Sequence, residues 1–364
     1  MLDPSIRNIA ARAYEIPTDA PEADGTLAWD STTLVLVTLD AGGETGIGYT
    51  YADASLVTLI ERKLAPEIAG RSAFDIAGAG AVLWRAVRNL GRSGLAATAI
   101  SAIDVALWDV KAKLLGVPLS ALLGRVRDRV AIYGSGGFTS YTDKRLAEQL
   151  AAWIERDGCR WVKMKIGSDP DRDPARIAVA RRAIGAHGLF IDANGAFTPS
   201  RALALAEQIV DHDVNWFEEP VTSDDAEGLA RVCAATPPGM EIAAGEYCYV
   251  PDDFSRLLAT PSVDVLQADA TRCGGVSGFL AAAALGETRH MDLSAHCAPA
   301  LHCHIGCAVL RLRHIEWFHD HVRIEQMLFD GAPVARDGTI APDADRHGLG
   351  LLFKERDAER FRVR

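Results

Sequence analysis

The sequence contains no long apolar run. Although 49% of its 364 residues are hydrophobic, no segment reaches the roughly 18 consecutive apolar residues that a membrane span requires. The first residues, MLDPSIRNIAARAYEIP, also lack a basic region followed by an apolar block, so they do not resemble a signal peptide. We therefore expect a cytoplasmic protein with no membrane partner.

Basic residues are fewer than acidic residues in this sequence. Lysine and arginine number 38 against 49 aspartates and glutamates, which gives a formal net charge of -11 at pH 7. No basic stripe with interleaved aromatic residues stands out. This composition disfavours nucleic acid and anionic membrane surfaces as partners.

The cysteines do not form a regular pattern. The seven cysteines are odd in number and scattered, which indicates reduced thiols in the cytosol rather than a disulfide framework. The richest segment, HCAPALHCHIGC at 296–307, offers His302, His304, Cys303 and Cys307 as zinc ligands. Because Cys303 and Cys307 would share one helix face as small apolar residues, we predict that this segment packs in the core instead.

The first 125 residues change from strand-like to helical patterns. The runs IRNIAARAYEIP, TTLVLVTLD and GETGIGYTYA predict an antiparallel sheet. Between the first two, TDAPEADGTLAWDS is polar and turn-rich except for Trp29, so we predict a surface loop whose aromatic residue covers a pocket or packs locally. Helical patterns follow as far as Gly116 and Pro118. Residues 1–125 should therefore form an α+β domain.

Strand and helix patterns then alternate to about residue 345. Eight strand candidates are VAIYGSGG, WVKMKIG, LFIDANG, VNWFEEP, EIAAGEY, VDVLQADA, MDLSAHC and HIEWF, with alanine-rich helical segments between them. Parallel strands need such crossovers, and eight of them close a barrel. We therefore predict an α/β barrel over residues 126–345 and a tail, 346–364, that packs back on the first domain.

Acidic residues end three consecutive strands of this predicted barrel. Asp192, Glu218 and Glu246 are spaced 26 and 28 residues apart, each after an apolar run. Because carboxyl ends of parallel barrel strands converge on one mouth, the three carboxylates should meet there. Three hard oxygen ligands without Cys or His favour Mg2+. Surface acids at loop starts are the alternative, but three on consecutive strands are unusual.

Two lysines end the strand before these acids. In WVKMKIG the period of two places Lys163 and Lys165 on the face toward the mouth and Met164 toward the helices. Two ammonium groups this close are expected to depress one pKa and leave one amine able to act as a base near neutrality.

The remaining strands supply a candidate acid. Asp269 and His296 end neighbouring strands, so the carboxylate can orient the imidazole as a general acid or base. Glu316, in HIEWF, could donate a hydrogen bond if its surroundings keep it protonated. Together these residues suit removal of the proton beside a substrate carboxylate that is bound to Mg2+ and Lys163.

The ordered motifs KMK, DANG, FEEP, GE, QADA and SAH resemble the enolase superfamily, and specifically its mandelate racemase subgroup, over nearly the whole chain. The resemblance implies a modified TIM barrel, (β/α)7β, with an N-terminal α+β capping domain. The muconate lactonizing subgroup carries a lysine on the sixth strand, where this chain has Asp269. The resemblance also implies a homo-oligomer.

The resemblance assigns a role to each candidate site residue. It implies Mg2+ ligands at Asp192, Glu218 and Glu246, a carboxylate clamp at Lys163, a base at Lys165, a dyad of Asp269 with His296, an opposing hydrogen-bond donor at Glu316 and a substrate neighbour at Asn194. The substrate-selecting capping loops correspond to TDAPEADGTLAWDS and GYTYADAS, which makes Trp29 and Tyr51 candidate substrate-binding residues.

The implied reactions all begin with the same proton removal from a small-molecule carboxylate. We favour dehydration of a sugar acid to a 2-keto-3-deoxy acid, because the capping loops are polar, with Asp24, Asp30, Tyr49, Tyr51 and Asp53. Racemisation or epimerisation of a 2-hydroxy acid and cycloisomerisation of a sugar-acid lactone are alternatives. A non-catalytic scaffold should lack an acid or base, and a metal-dependent hydrolase should carry HxH on its first strand. No acid or base is missing from this chain, and the predicted first strand, VAIYGSGG, contains no histidine.

Overall fold

A computed structural model describes residues 4–363. The chain begins with an antiparallel sheet in the order β1, β2, β3, as predicted. These strands are β1 (Arg7–Ala23), β2 (Ala28–Ala41) and β3 (Glu44–Tyr51). The predicted surface loop between β1 and β2 is wrong, because the two strands extend through most of it and leave a tip of only residues 24–27. Backbone pairing of Glu22 with Trp29 and Ala23 with Ala28 continues the ladder despite the polar sequence.

Six helical segments follow the sheet, and the first five pack against one of its faces. They are α1 (Leu56–Leu59), a π-helical turn (Ile60–Leu64), α2 (Ala65–Ile68), α3 (Ile76–Ala86), α4 (Leu95–Leu114) and α5 (Leu119–Leu122). Helix α4 is buried along most of its length and lies directly on β3. Gly48 permits this approach, since a Cβ there would lie 2.0 Å from the carbonyl oxygen of Ala102. Sheet and helices together form the cap.

The eight predicted strands form a closed parallel barrel. They are β4 (Val130–Gly136), β5 (Trp161–Lys165), β6 (Gly188–Asp192), β7 (Val214–Glu218), β8 (Glu241–Ala244), β9 (Val265–Ala268), β10 (Asp292–Ala295) and β11 (Leu312–Phe318). Each pairs with the next, and β11 pairs with β4. The predicted fold class, a (β/α)7β barrel with an N-terminal α+β cap, is confirmed.

Seven crossover helices surround the barrel. They are α6 (Asp143–Glu155), α7 (Asp173–Ile184), α8 (Pro199–Gln208), α9 (Ala226–Ala235), α10 (Pro251–Leu257), α11 (Gly275–Glu287) and α12 (Pro299–Gly306). Apolar residues on the outer faces of the strands, Met164 among them, pack against these helices in one continuous core. Among residues 4–363, no helix combines the length and apolar character needed to cross a bilayer.

The residues after β11 contact both the barrel, where Thr339 pairs with Ala131 of β4, and the cap. They form α13 (His319–Leu328), β12 (Phe329–Asp330), β13 (Thr339–Ile340), β14 (Leu352–Phe353), α14 (Glu355–Ala358) and a 3-10 turn (Glu359–Phe361). Arg12 of β1 forms an ion pair with Glu355 at 2.7 Å, and the Val363 amide donates to the Ala13 carbonyl. The domain limits 1–125, 126–345 and 346–364 stay predictions.

Buried polar contacts fix the cap over the carboxyl ends of the barrel strands. The Tyr49 hydroxyl donates to Glu325 of α13 at 2.6 Å. The Thr50 hydroxyl donates to the carbonyl oxygen of Thr271, just after β9, at 2.8 Å. Residues of β3 therefore reach the end of the barrel at which the charged residues were predicted.

Candidate active site

The inward-facing side chains of the barrel form two layers. The lower layer is a cluster of rings from Tyr133, Trp161, Phe190, Trp216 and His314. Because side chains alternate along a strand, the next inward position lies two residues further on. Those positions hold Ser135, Lys163, Asp192, Glu218 and Glu316. The polar side chains thus stand on an aromatic floor at the barrel mouth, by which we mean the carboxyl ends of β4 to β11.

Three carboxylates meet in this mouth as predicted. Asp192, Glu218 and Glu246 are buried, and one oxygen atom from each lies within 4.8 Å of the others. The strand register places Asp192 directly beside Glu218. Oε2 of Glu246 is buried and accepts no hydrogen bond from the described residues. Oxygen atoms grouped in this way suit a hard divalent cation such as Mg2+.

The mouth holds more carboxyl groups than permanently charged cations. Its carboxylates are those of Asp192, Glu218, Glu219, Glu246, Asp269 and Glu316. The permanent cations among them are Lys163, Lys165 and Arg272, so full ionisation of the six carboxyl groups would leave an excess of three negative charges. Burial and the charge of Asp192 raise the pKa of Glu218 to about 8. A divalent cation would offset most of this excess, so the residues present fit Mg2+.

The two lysines point into the mouth, as the period of two predicted. Lys163 Nζ lies 2.6 Å from Glu218 Oε1 and 2.8 Å from Glu316 Oε1. Lys165 Nζ lies 2.6 Å from Asp192 Oδ2. Burial lowers the pKa of each lysine, but the adjacent carboxylates outweigh it, so both pKa values lie above the ordinary value. The predicted depressed pKa is therefore wrong for this structure, because these carboxylates outweigh the repulsion between the lysines.

Asp269 and His296 form the predicted contact. His296 Nδ1 lies 2.8 Å from Asp269 Oδ2, and Asp269 also accepts hydrogen bonds from the amide and hydroxyl of Thr271. Burial lowers the pKa of His296, but the charges of Glu246 and Glu316 outweigh it and the pKa is raised. With Nδ1 held by Asp269, Nε2 is the ring nitrogen that faces the mouth, 3.3 Å from Glu246 Oε2.

Glu316 reaches the mouth, but as a hydrogen-bond acceptor. Its Oε1 accepts from the Ser135 hydroxyl at 2.6 Å, and its Oε2 accepts from the Cys297 amide at 3.1 Å. Burial raises its pKa, but the positive charges of Lys163 and His296 outweigh burial and the pKa lies well below the ordinary value. The predicted protonated donor is therefore not supported, because the sequence did not show that Lys163 contacts this carboxylate.

Arg272 is a site residue that the sequence reasoning missed. Its Nη1 lies 3.2 Å from Glu246 Oε1, and its Nε lies 3.6 Å from Asp269 Oδ2. It therefore links the carboxylate group to the histidine dyad. Arg272 does not end a strand. Its position three residues after Asp269, in the loop after β9, is the sequence signal that could have identified it.

The tip of the β1–β2 hairpin docks on the mouth beside Asn194. Asn194 Oδ1 accepts a hydrogen bond from Lys165 at 3.0 Å, and the backbone amide of Asn194 donates to Asp192 Oδ1. Gly25 at the tip lies so close that a Cβ there would be 2.3 Å from the Ala193 carbonyl oxygen and 2.7 Å from that of Ile166. The absence of a side chain at Gly25 therefore allows the hairpin to cover the ends of β5 and β6.

Replacing Gly25 with alanine should lift the hairpin tip. The added methyl group would overlap two carbonyl oxygens, and overpacking of this kind costs about 1–3 kcal/mol. We expect faster amide hydrogen exchange in residues 20–29 and an unchanged barrel. Gly80→Ala is the matched control, since a Cβ there meets nothing within 4 Å. Equal exchange in both variants would show that the tip is not held by this close approach.

Trp29 and Tyr51 are held by protein groups near the mouth. The Trp29 indole donates to Glu22 at 2.9 Å and packs edge-on against Phe138. The Tyr51 ring stacks on His321 with 3.5 Å between ring centroids. Their predicted roles in substrate binding stay predictions.

Four of the five polar cap residues that suggested a sugar acid have structural partners. Asp24 accepts hydrogen bonds from the amides of Thr26 and Leu27, and Asp53 accepts from the amide of Ser55. Tyr49 is fully buried. These residues stabilise turns and the cap interface, so cap polarity gives little support for a sugar acid.

Residues 302–307 of the cysteine-rich segment pack in the core as predicted. His302 Nε2 accepts from the Ala270 amide, and its Nδ1 donates to the Cys297 carbonyl. Cys303 and Cys307 are buried free thiols. In the described part of the chain, the residue groups that bring three potential metal ligands together include neither these thiols nor His302 and His304.

Two family models cover most of the chain. The one described as Mandelate racemase / muconate lactonizing enzyme, N-terminal domain, matches residues 11–124. The one described as Enolase C-terminal domain-like matches residues 145–358. The first match falls on the cap, and the second spans β5 to β11.

The chain is also similar to individual proteins over most of its length. The chain is 32% identical to L-talarate/galactarate dehydratase from Salmonella typhimurium strain LT2, over 86% of this chain and 78% of that protein. It is 30% identical to 3,6-anhydro-alpha-L-galactonate cycloisomerase from Streptomyces coelicolor, over 96% of this chain and 98% of that protein.

Solved structures extend the similarity to the fold. A mandelate racemase/muconate lactonizing enzyme-like protein from Rubrobacter xylanophilus is 46% identical with a TM-score of 0.96, over 99% of this chain and 100% of that one. The Salmonella typhimurium dehydratase, crystallised with Mg and L-lyxarohydroxamate, is 28% identical with a TM-score of 0.90, over 99% of this chain and 93% of that one.

Proposed function

Because the chain belongs to the mandelate racemase / muconate lactonizing enzyme family, we propose that it dehydrates a sugar acid to a 2-keto-3-deoxy acid in a Mg2+-dependent reaction. The observation that carries the proposal is the convergence of three carboxylates suited to a metal ion, Lys165 and His296 in one buried mouth. The dehydratase named among the relatives supports the substrate class.

Asp192, Glu218 and Glu246 would hold the Mg2+ ion. When bound, the ion supplies positive charge that binds the substrate carboxylate and stabilises the charge that develops when the neighbouring carbon loses its proton. Lys163 lies within 3.4 Å of both Asp192 and Glu218, so its ammonium group is placed to clamp the same substrate carboxylate.

Lys165 and His296 are the proposed proton-transfer groups. They come from different strands, β5 and β10, and so can approach the substrate carbon from different sides. One of the two removes the proton next to the carboxylate, and His296 protonates the departing hydroxyl group through Nε2. Asp269 holds the imidazole by Nδ1, and Asn194 positions the Lys165 amine through its side-chain oxygen. Glu316 positions Lys163 through its carboxylate.

A panel of aldonic and aldaric acids tests the proposal. The protein is incubated with Mg2+ and each acid in turn, and 2-keto-3-deoxy products are detected by nuclear magnetic resonance. Product from at least one acid, lost when the metal is chelated, is the expected result. Absence of a 2-keto-3-deoxy product from every acid in the panel would contradict dehydration.

Cycloisomerisation is the second candidate, favoured by the match to the Streptomyces coelicolor enzyme over 98% of its length. Both this reaction and racemisation begin with the same proton removal but lose no water. Cycloisomerisation then breaks a ring C–O bond whose oxygen stays in the molecule, whereas racemisation returns a proton to the same carbon. Deuterium uptake at the carbon next to the carboxylate, without loss of water, would select racemisation or epimerisation over dehydration. A ring-opened isomer of unchanged mass, formed from one of a panel of sugar-acid lactones, would select cycloisomerisation.

Location and assembly stay predictions. We propose a cytoplasmic homo-oligomer, supported for location by the seven free thiols in the described residues. Assembly is measured by light scattering after size-exclusion chromatography.

Replacing Arg272 with glutamine should lower kcat by about 10-fold to 100-fold at saturating Mg2+, the usual cost of losing a group that orients metal ligands. Arg272 contacts both Glu246 and Asp269, so both lose a partner. Arg272→Lys should recover part of the loss because it restores the charge. Arg311→Gln, at the opposite end of the barrel, is the control. An unchanged kcat in R272Q would show that the link is dispensable.

A further inference from the structure

Cys297 stands directly beside His296 in the mouth and has no part in the proposed reaction. It follows β10 in a left-handed backbone conformation, with φ of 54°. Its amide donates to Glu316 Oε2, and its carbonyl oxygen accepts from His302. The turn is therefore held from both sides, which fixes the direction of the buried thiol.

The thiol completes a triangle of potential metal ligands. Cys297 Sγ lies 3.3 Å from His296 Nε2 and 3.4 Å from Glu316 Oε2. His296 Nε2 lies 3.7 Å from Glu316 Oε2. These three residues, which we name the thiol triad, bring one nitrogen, one sulfur and one oxygen atom together in a buried site.

The triangle has the size that tetrahedral zinc requires. Zinc lies about 2.3 Å from sulfur and about 2.0–2.2 Å from nitrogen or oxygen, so neighbouring ligand atoms in a tetrahedron are roughly 3.3–3.6 Å apart. The sulfur atom also favours zinc over Mg2+, which prefers oxygen ligands. The geometry points to a zinc site at the thiol triad, separate from the carboxylate group that suits Mg2+.

The other atoms of the triad are already held in place. His296 Nδ1 is bound to Asp269, which leaves Nε2 free to ligate. Oε1 of Glu316 is held by Ser135 and Lys163, which leaves Oε2 toward the thiol. Such outer partners orient metal ligands and raise metal affinity. The fourth zinc position would face the mouth and take water.

Zinc at this site would inhibit the enzyme. The ion would occupy His296 Nε2, the atom that transfers the proton in the proposed function, on which this consequence rests. Zinc displaces the thiol proton, which passes to solvent, and the resulting thiolate binds the ion without any redox change. Inhibition should then depend on Cys297 and persist at saturating Mg2+.

Cobalt(II) reports thiolate ligation without any assay of the reaction. The full-length protein, saturated with Mg2+, is titrated with Co2+ as a spectroscopic substitute for zinc. Wild-type protein should develop a sulfur-to-cobalt charge-transfer band, and added Zn2+ should abolish it. Cys297→Ser should lose the band. Cys233→Ala, which removes a more exposed thiol, should keep it.

A second measurement follows inhibition by Zn2+ in the same variants. Wild-type protein and C233A should be inhibited, and C297S should lose that sensitivity relative to its own zinc-free rate. A band that persists in C297S, or that disappears in C233A, would overturn the site. If no substrate is found, the cobalt band still decides whether the site exists, so failure of the proposed function and failure of the zinc site are distinguishable.

Discussion

Replacing His296 with asparagine is expected to lower the rate of dehydration by about 100-fold to 10,000-fold, the usual contribution of a positioned acid or base. Asparagine lacks a group that can transfer a proton, although it keeps a polar side chain near Asp269. The measurement is kcat at saturating Mg2+ and substrate. Proton exchange at the carbon next to the carboxylate is followed in parallel. Exchange that persists in H296N assigns the first proton to Lys165, and exchange that disappears assigns it to His296.

Two further variants make this result interpretable. Asp269→Asn should cause a loss in the same direction, because an amide cannot stabilise the charged imidazole as the carboxylate does. His290→Asn is the matched control, since His290 is exposed and its φ of 56° suits asparagine. A fully active H296N with unchanged thermal stability would remove His296 from the reaction.

The barrel could be predicted because its signals repeat along the chain. Each strand is an apolar run that ends at a polar residue, and intervals of 23 to 28 residues, such as Asp269 after Glu246 and Glu246 after Glu218, fit one helix between strands. Since parallel strands end on one side, the meeting of the carboxylates, Lys165 and His296 followed from chain order alone.

Side-chain partners across the mouth could not be predicted in the same way. Chain order places Lys163 beside Lys165, but only the closed barrel brings Lys163 to Glu316, a residue 153 positions later. Glu218 and Glu316 together raise the pKa of the lysine, and the lysine lowers that of Glu316. Neighbours along the strand predict a depressed lysine pKa, and they do not show whether Glu316 is protonated.

The extension of β1 and β2 through the predicted loop could not be predicted for a related reason. Its residues, TDAPEADGTLAWDS, look like a loop because they are polar. Strand pairing there is supported by the barrel beneath it, where the hydroxyl of Thr139 donates to the carbonyl of Asp24 and the hydroxyl of Ser140 donates to that of Pro21. Tertiary contacts of this kind override local propensity.

Replacing Asp192 with asparagine is expected to weaken Mg2+ binding by at least about 100-fold, since loss of an outer partner alone costs about 10-fold to 100-fold. The variant removes one of the three negative charges that would hold the ion. Calorimetric titration with Mg2+ measures the change without requiring a substrate. Asp224→Asn, an exposed acid outside the carboxylate group, is the control and should bind Mg2+ like the wild type.

Asp192 also pairs with Lys165, so its replacement alone could act through the lysine instead of the ion. Glu246→Gln separates these effects, because the contacts of Glu246 are with Arg272 and His296 on the other side of the mouth. A shared ion requires both variants to lose Mg2+ affinity, although they disturb different neighbours. Loss in D192N with normal binding in E246Q would mean that the three carboxylates do not share one ion, and the proposed reaction would then have no metal centre.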